Sequence, residues 1–250
     1  MKIALLQSPS PAGDGQAALA ALGPALRAAG AAGAALLVAP ETFLPGYNAA
    51  DPGALALTQD QAVDLLAPLC RAAGAGLVIG YAERAGAALY NAALALDADG
   101  AVLANYRKIQ LYGPRESALY AHGDRYATFT LHGATLGLLI CYDVEFYAHI
   151  AELRRLGVTL LLVPTANMLP FTHVSRATVP AHAANGGMTI AYANYCGAEG
   201  DLTYAGHSVI AGPHGEVLAA AGEYPALLVA EVPAADPARS YDPSADYRKV

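Results

Sequence analysis

Apolar residues in this chain fall into short blocks separated by Gly, Pro and polar clusters, a pattern of buried strands alternating with helices. "KIALLQ" reads as a first buried strand, followed by a helix within residues 15–30. "AALLVAPE" reads as a second strand ending at Glu41, and residues 59–73 as a second helix. "GLVIGYAER", "LYNAALALDADG" and "AVLANYRK" then read as consecutive strands. Asp99-Gly100 turns the last two, because glycine tolerates positive φ. "YATFTLHG" and "TLGLLIC" form a further pair hinged at His132-Gly133, with a helix following over about residues 145–156. "VTLLLVPTAN" is a predicted strand, residues 173–185 a helix, and "MTIAYANY" another strand. The chain closes with the hairpin "GHSVIAGPHGEVLAAAG", turning at His214-Gly215, and the strand "ALLVAEV".

Helices early and late, with an antiparallel meander between them, imply an α/β fold with a mixed sheet system covered by helices. No linker, repeat or low-complexity segment interrupts residues 1–250, so one domain is expected. The segment 233–250 is too polar and proline-rich for core and is expected to wrap the surface or a partner subunit.

Composition narrows the function. The chain has 55% hydrophobic and 14% charged residues, ample for a core. No apolar run approaches the ~18 residues of a membrane-spanning helix. The apolar run near the start is too short for a signal-peptide core, and a soluble cytoplasmic protein is expected. A net charge of −7 and no basic stripe argue against nucleic acid. The three cysteines, Cys70, Cys141 and Cys196, have neither disulfide nor metal-ligand spacing, which leaves each thiol to be core or catalytic. The seven scattered histidines form no HExxH or HxH pair, so no metal site is indicated.

Three apolar strands end in polar residues: Glu41 after "LLVAP", Cys141 after "LGLLI", and Asn167 after "LLLVPTA". Ligands of open α/β sheets sit at the carboxyl ends of strands, so a carboxylate, a thiol and an amide can converge there. Each alone has a plainer reading, as a cap, a small core hydrophobe or a loop amide. Lys108 changes the weighing. The chain has three lysines, at positions 2, 108 and 249, against eleven arginines. An internal lysine kept once, beside Arg107, points to a need for a compact ammonium rather than a planar fork. Glu116, eight residues on in "YGPRESALY", is a second carboxylate that can hold the ammonium, though taken alone it reads as a loop charge. Glu, Lys and Cys together suit acyl transfer: the carboxylate takes the thiol proton, and the ammonium stabilises thiolate and oxyanion.

The segments "APETFLPGY", "NYRKIQLYG" and "LLICYDVEF" resemble, in order and spacing, the three signature segments of the nitrilase-like carbon–nitrogen hydrolases. The likeness runs from "KIALLQ" to the closing strand. It implies a four-layer α-β-β-α sandwich, a homodimer or larger homo-oligomer, and no metal or organic cofactor. It also implies Glu41 as general base, Lys108 as oxyanion stabiliser, Cys141 as nucleophile and Glu116 as the second glutamate. The backbone N–H of Tyr142 is the implied second oxyanion donor. Tyr112 matches an aromatic wall of the acyl pocket, and Asn167 and Met168 fall on a loop bordering the substrate.

"CYD" is unlike the Cys-Trp-Glu of true nitrilases and favours the amidase branch. "NYRK", "VPTANM" and "YANYCGAE" look especially like the 5-aminopentanamidases, which act on an ω-amino amide. An N-carbamoyl amino-acid hydrolase would use the same triad but should carry a cationic clamp for its substrate's carboxylate, and a non-catalytic binding protein of this fold is the remaining alternative. Two departures from the family pattern stand out. Tyr147-Ala148 replaces Pro-Glu, and "HAANG" puts His182 and Asn185 at usual Arg and Glu positions. The expectation is that a structural charge pair has been lost on both sides at once, which places His182 against the helix after Cys141.

Overall fold

A computed structural model describes residues 1–234 and Arg248. The expected tail at 233–250 therefore lies outside the described residues, apart from Pro233, Ala234 and Arg248. The chain opens with β1 (Lys2–Gln7), α1 (Gly15–Ala31), β2 (Ala34–Val38), α2 (Gln59–Ala73), β3 (Gly76–Ala85), β4 (Ala88–Leu96) and β5 (Val102–Arg107). After α3 (Gly113–Leu119) come β6 (Ala127–Leu131), β7 (Ala134–Leu138), a 3-10 turn over Cys141–Glu145, α4 (Tyr147–Arg155) and β8 (Leu160–Pro164). A π turn at Val174–Thr178 leads into α5 (Val179–Gly186). The remaining strands are β9 (Thr189–Ala193), β10 (Cys196–Glu199), β11 (Leu202–Ala205), β12 (Val209–Ala211), β13 (Val217–Ala220) and β14 (Ala226–Glu231).

Two six-stranded sheets result, ordered β14-β1-β2-β3-β4-β5 and β13-β12-β9-β8-β7-β6, and β10-β11 form a small hairpin of their own. In each sheet the three parallel strands lie inside, β1-β2-β3 and β7-β8-β9, and antiparallel partners flank them. Strands covered on both faces need continuous apolar sequence, which is why β8, "LLLVP", is buried at every position.

The sheets pack face to face through Ile3, Leu5, Leu36 and Val38 on one side and Leu136, Leu138, Leu160 and Leu162 on the other. The outer face of the first sheet is covered by α1 and α2, whose Leu22, Leu26, Leu66 and Cys70 are fully buried. Ile150 and Leu153 of α4 and Val179 and Ala183 of α5 cover the second sheet. This is the four-layer α-β-β-α sandwich. The helices have the local signals that start them: the Asp14 carboxylate caps α1, and Thr58 and Gln61 form a capping box on α2. The predicted turn at His132-Gly133 is present with φ of 49° and 79°, both left-handed, as a two-residue hairpin of this type requires.

Several boundaries differ from expectation. The strands before Glu41, Cys141 and Asn167 stop at Val38, Leu138 and Pro164, because the chain leaves the sheet to build the site. The helix expected over 145–156 is a 3-10 turn followed by α4, and that expected over 173–185 is a π turn followed by α5. The helix α3 and the β10-β11 hairpin were not expected from the apolar pattern.

Candidate active site

Glu41, Cys141 and Asn167 each stand three residues beyond the last residue of β2, β7 and β8 respectively. Parallel strands of facing sheets thus deliver all three to one end of the sandwich, where Lys108 follows directly on β5. Gly80 of β3 makes room for the turn that holds Glu41, since a Cβ there would collide with the Glu41 and Thr42 backbones. The turn is tied further by Tyr195, whose hydroxyl donates to the Glu41 carbonyl at 2.9 Å.

Arg107 and Lys108 leave β5 on opposite faces. Arg107 makes a bidentate pair with Glu83, 2.7 Å for each bond, at the partly exposed side. Lys108 points inward, is fully buried, and donates from Nζ to Glu41 Oε1 at 2.6 Å and Glu116 Oε1 at 2.9 Å. The plain reading of Glu116 as a loop charge is wrong: it lies in α3 and is buried. Its Oε1 also accepts from the Tyr47 hydroxyl at 2.7 Å, and its Oε2 from the Tyr112 N–H at 3.0 Å. Glu41 Oε1 accepts a second bond from Asn91 Nδ2 at 2.7 Å, while Glu41 Oε2 has no partner among the described residues.

Two carboxylates and one ammonium in a dry site perturb one another. Burial pushes the Glu41 carboxyl up to about 7; the Lys108 ammonium opposes this, and the Glu116 carboxylate adds to it. Burial works against the charge on Lys108, but Glu41 and Glu116 outweigh it and hold the lysine well above its ordinary value. Burial, with the Glu41 carboxylate, raises the Cys141 thiol, and Lys108 draws it down. Glu41 and Lys108 therefore lie within electrostatic reach of the sulfur. At neutral pH the resting site holds a thiol, a permanent ammonium and a carboxyl near its titration point, the state suited to a base.

Cys141 begins the 3-10 turn with φ of 44°, a left-handed conformation seldom adopted by a residue with a side chain. Asp143 holds the turn in place. Its buried carboxylate accepts from the N–H of Ile140 at 3.0 Å, the N–H of Gln110 at 2.7 Å and the hydroxyl of Tyr106 at 2.8 Å. The Cys141 turn is thereby fastened to the segment that follows Lys108. As the second residue of the turn, Tyr142 has an N–H that no carbonyl of the turn can accept.

The thiol opens on a cavity of about 270 Å³. Tyr112, Tyr142 and Phe171 form one wall, in edge-to-face contacts with centroids 5.3 Å and 6.4 Å apart. Asn167 and Met168 border it as expected, but the Asn167 amide is committed: Nδ2 donates to the Phe171 carbonyl at 2.9 Å and so shapes the wall. Glu145 and His173 also line it, and no lysine or arginine does among the described residues. His182 is not remote from the turn that Cys141 begins. Its Nε2 lies 3.4 Å from the Glu145 carbonyl, and its ring is 5.7 Å from that of Tyr147. The two departures from the family pattern thus meet in space.

Tyr47, Asn91, Asp143, Glu145, Phe171 and His173 are site residues that the sequence did not single out. Asn91 gave a signal, being a lone amide inside the apolar run "LYNAALAL" that had to find a partner.

The profile of the carbon–nitrogen hydrolases matches residues 2–239. The chain belongs to that family. Among curated relatives, the "Hydrolase in pqqF 5'region" of Pseudomonas protegens is 43% identical over 199 residues, 78% of this chain and 70% of that protein. The (R)-stereoselective amidase of a Pseudomonas species is 34% identical over 197 residues, 75% of this chain and 69% of that protein. Among solved structures, a cysteine-to-alanine mutant of the amidase from Nesterenkonia sp. AN1 in complex with butyramide superposes with a TM-score of 0.88 at 37% identity. That match covers 93% of this chain and 91% of the other. A second structure of the same amidase shows acrylamide added at the active-site cysteine, with a TM-score of 0.87, 37% identity and 93% of each chain covered. Among the described residues no helix is long and apolar enough to cross a membrane.

Proposed function

We propose that the protein hydrolyses a small linear carboxamide to the acid and ammonia through a thioester on Cys141. The observation that carries this reading is the buried Glu41–Lys108–Glu116 cluster within electrostatic reach of a thiol that opens on a cavity.

In the first half-reaction Glu41 takes the Cys141 proton and the thiolate attacks the amide carbon. Lys108 and the Tyr142 N–H hold the oxyanion, a stabilisation strong in a dry site. Glu41 then gives its proton to the departing nitrogen, ammonia leaves, and the acyl group stays on sulfur. In the second half, Glu41 draws a proton from water, which attacks the thioester and releases the acid while the thiol is restored. Glu116 and Asn91 keep Lys108 and Glu41 in position. The likeness to a butyramide-binding amidase and the small aromatic-walled cavity support a short acyl chain. The resemblance of "VPTANM" and "YANYCGAE" to 5-aminopentanamidases puts 5-aminopentanamide first among candidates. The absence of lysine and arginine from the described cavity wall speaks against an N-carbamoyl acid, which needs a clamp for its carboxylate.

The test is ammonia release from 5-aminopentanamide, aliphatic amides, N-carbamoyl acids and nitriles. Release from short amides alone is expected, with an acyl adduct seen by intact mass after rapid quenching. Turnover of nitriles or N-carbamoyl acids in preference to amides would overturn the proposal.

A further inference from the structure

The wall of the cavity holds a carboxylate that the proposed chemistry does not use. Glu145 is the last residue of the turn that Cys141 begins, so both ends of one short element face the same cavity. At the ~2.0 Å rise per residue of a 3-10 helix, a short extended carbon chain spans the distance between them. Glu145 is half-buried, and among the described residues its side chain has no ion-pair or hydrogen-bond partner. His173, which also lines that wall, acts on it electrostatically but forms no ion pair with it. The Glu145 backbone is held by His182 from α5, which fixes where the side chain starts.

We infer that Glu145 is the residue that selects the substrate, pairing with an ammonium group at the end of the acyl chain remote from the scissile amide. The inference rests on Cys141 as the nucleophile of an amidase and adds what that reading leaves open, the charge of the substrate. A half-desolvated carboxylate without an ion-pair partner is costly to keep, and a cationic ligand that pairs with it lowers the cost. The same carboxylate repels an anionic chain, and the aromatic wall of Tyr112, Tyr142 and Phe171 accommodates the methylenes between the two polar ends.

The experiment compares kcat/KM for 5-aminopentanamide and its neutral isostere hexanamide in the wild type and in Glu145→Gln. The wild type is expected to prefer the amine by at least about tenfold, and the variant to lose that preference mainly through KM. A wild-type ratio near one, or a ratio unchanged in Glu145→Gln, overturns the inference while leaving amide hydrolysis intact. No ammonia from either amide overturns the amidase reading and this inference with it. Should Glu145→Gln fail to fold, protection of wild-type Cys141 from iodoacetamide decides. Butylammonium is expected to protect at about one-tenth the concentration of butanol, and equal protection overturns the inference.

Discussion

Lys108 Nζ lies 2.6 Å from Glu41 Oε1, and both side chains are fully buried. The base and the oxyanion donor of the proposed chemistry are therefore each other's counter-charge. Removing Lys108 leaves both Glu41 and Glu116 buried without a counter-charge, so loss of activity and loss of stability come together there. Lys108→Met is expected to lower unfolding free energy by about 3 kcal/mol, read from urea midpoints. Its amide turnover should fall by at least about 100-fold. Lys108→Arg should not restore turnover, because a planar fork does not fit where a point-like ammonium bridges two carboxylates.

The three thiols separate cleanly. Cys70 is buried in the α2 contact with the first sheet, Cys196 is buried in β10, and Cys141 alone opens on the cavity. Cys141→Ala should abolish ammonia release, and Cys141→Ser should retain little, since an alkoxide is much harder to form than a thiolate. Cys70→Ala and Cys196→Ala should keep turnover, and loss of activity in either would mean that the wrong thiol has been assigned.

Activity should rise with pH through about 7, because Glu41 must be ionised to take the thiol proton and burial has moved its titration there. Lys108 stays protonated well above its ordinary range, so it sets no falling limb near neutrality. The Asn91 bond favours ionised Glu41, so Asn91→Ala should move the rising limb to higher pH. Stability carries the opposite sign. With its folded pKa above the ordinary 4.5, Glu41 contributes stability that is present below 4.5 and lost as pH climbs through about 7. A kcat/KM profile and melts of Glu41→Gln against wild type across that window check both.

Asp143 offers a test of positioning without touching the proposed reacting atoms. Its two oxygens accept three bonds, from Ile140, Gln110 and Tyr106. Asp143→Asn keeps one acceptor and turns an amide NH2 toward donors, at a cost of about 1–3 kcal/mol. The turn should loosen, lowering kcat more than it changes KM, as steady-state kinetics beside a thermal melt will read.

Much of this was legible because chemistry-bearing residue types interrupt apolar runs. Glu41 and Cys141 stood at the ends of such runs, and Lys108 stood out against a chain that otherwise prefers arginine. Glu116 was harder, because Gly113-Pro114 looks like a loop signal yet places proline in the first turn of the short helix α3. Strand ends were overrun because Leu139 and Ile140 are as buried as the strand before them, although they lie beyond the last residue of β7. Tyr47 and Asp143 lay within quoted segments, but their roles are long-range: each bonds across the fold to a partner that only the topology brings near.

Left-handed backbone at Cys141 has one more consequence. Any side chain there holds the residue in a conformation that costs about 1–3 kcal/mol, and only glycine escapes it. Cys141→Gly should therefore melt above Cys141→Ala, reversing the usual order of the two residues within a helical turn. The sturdiest form of this fold, at that position, is one that has given up its reactivity.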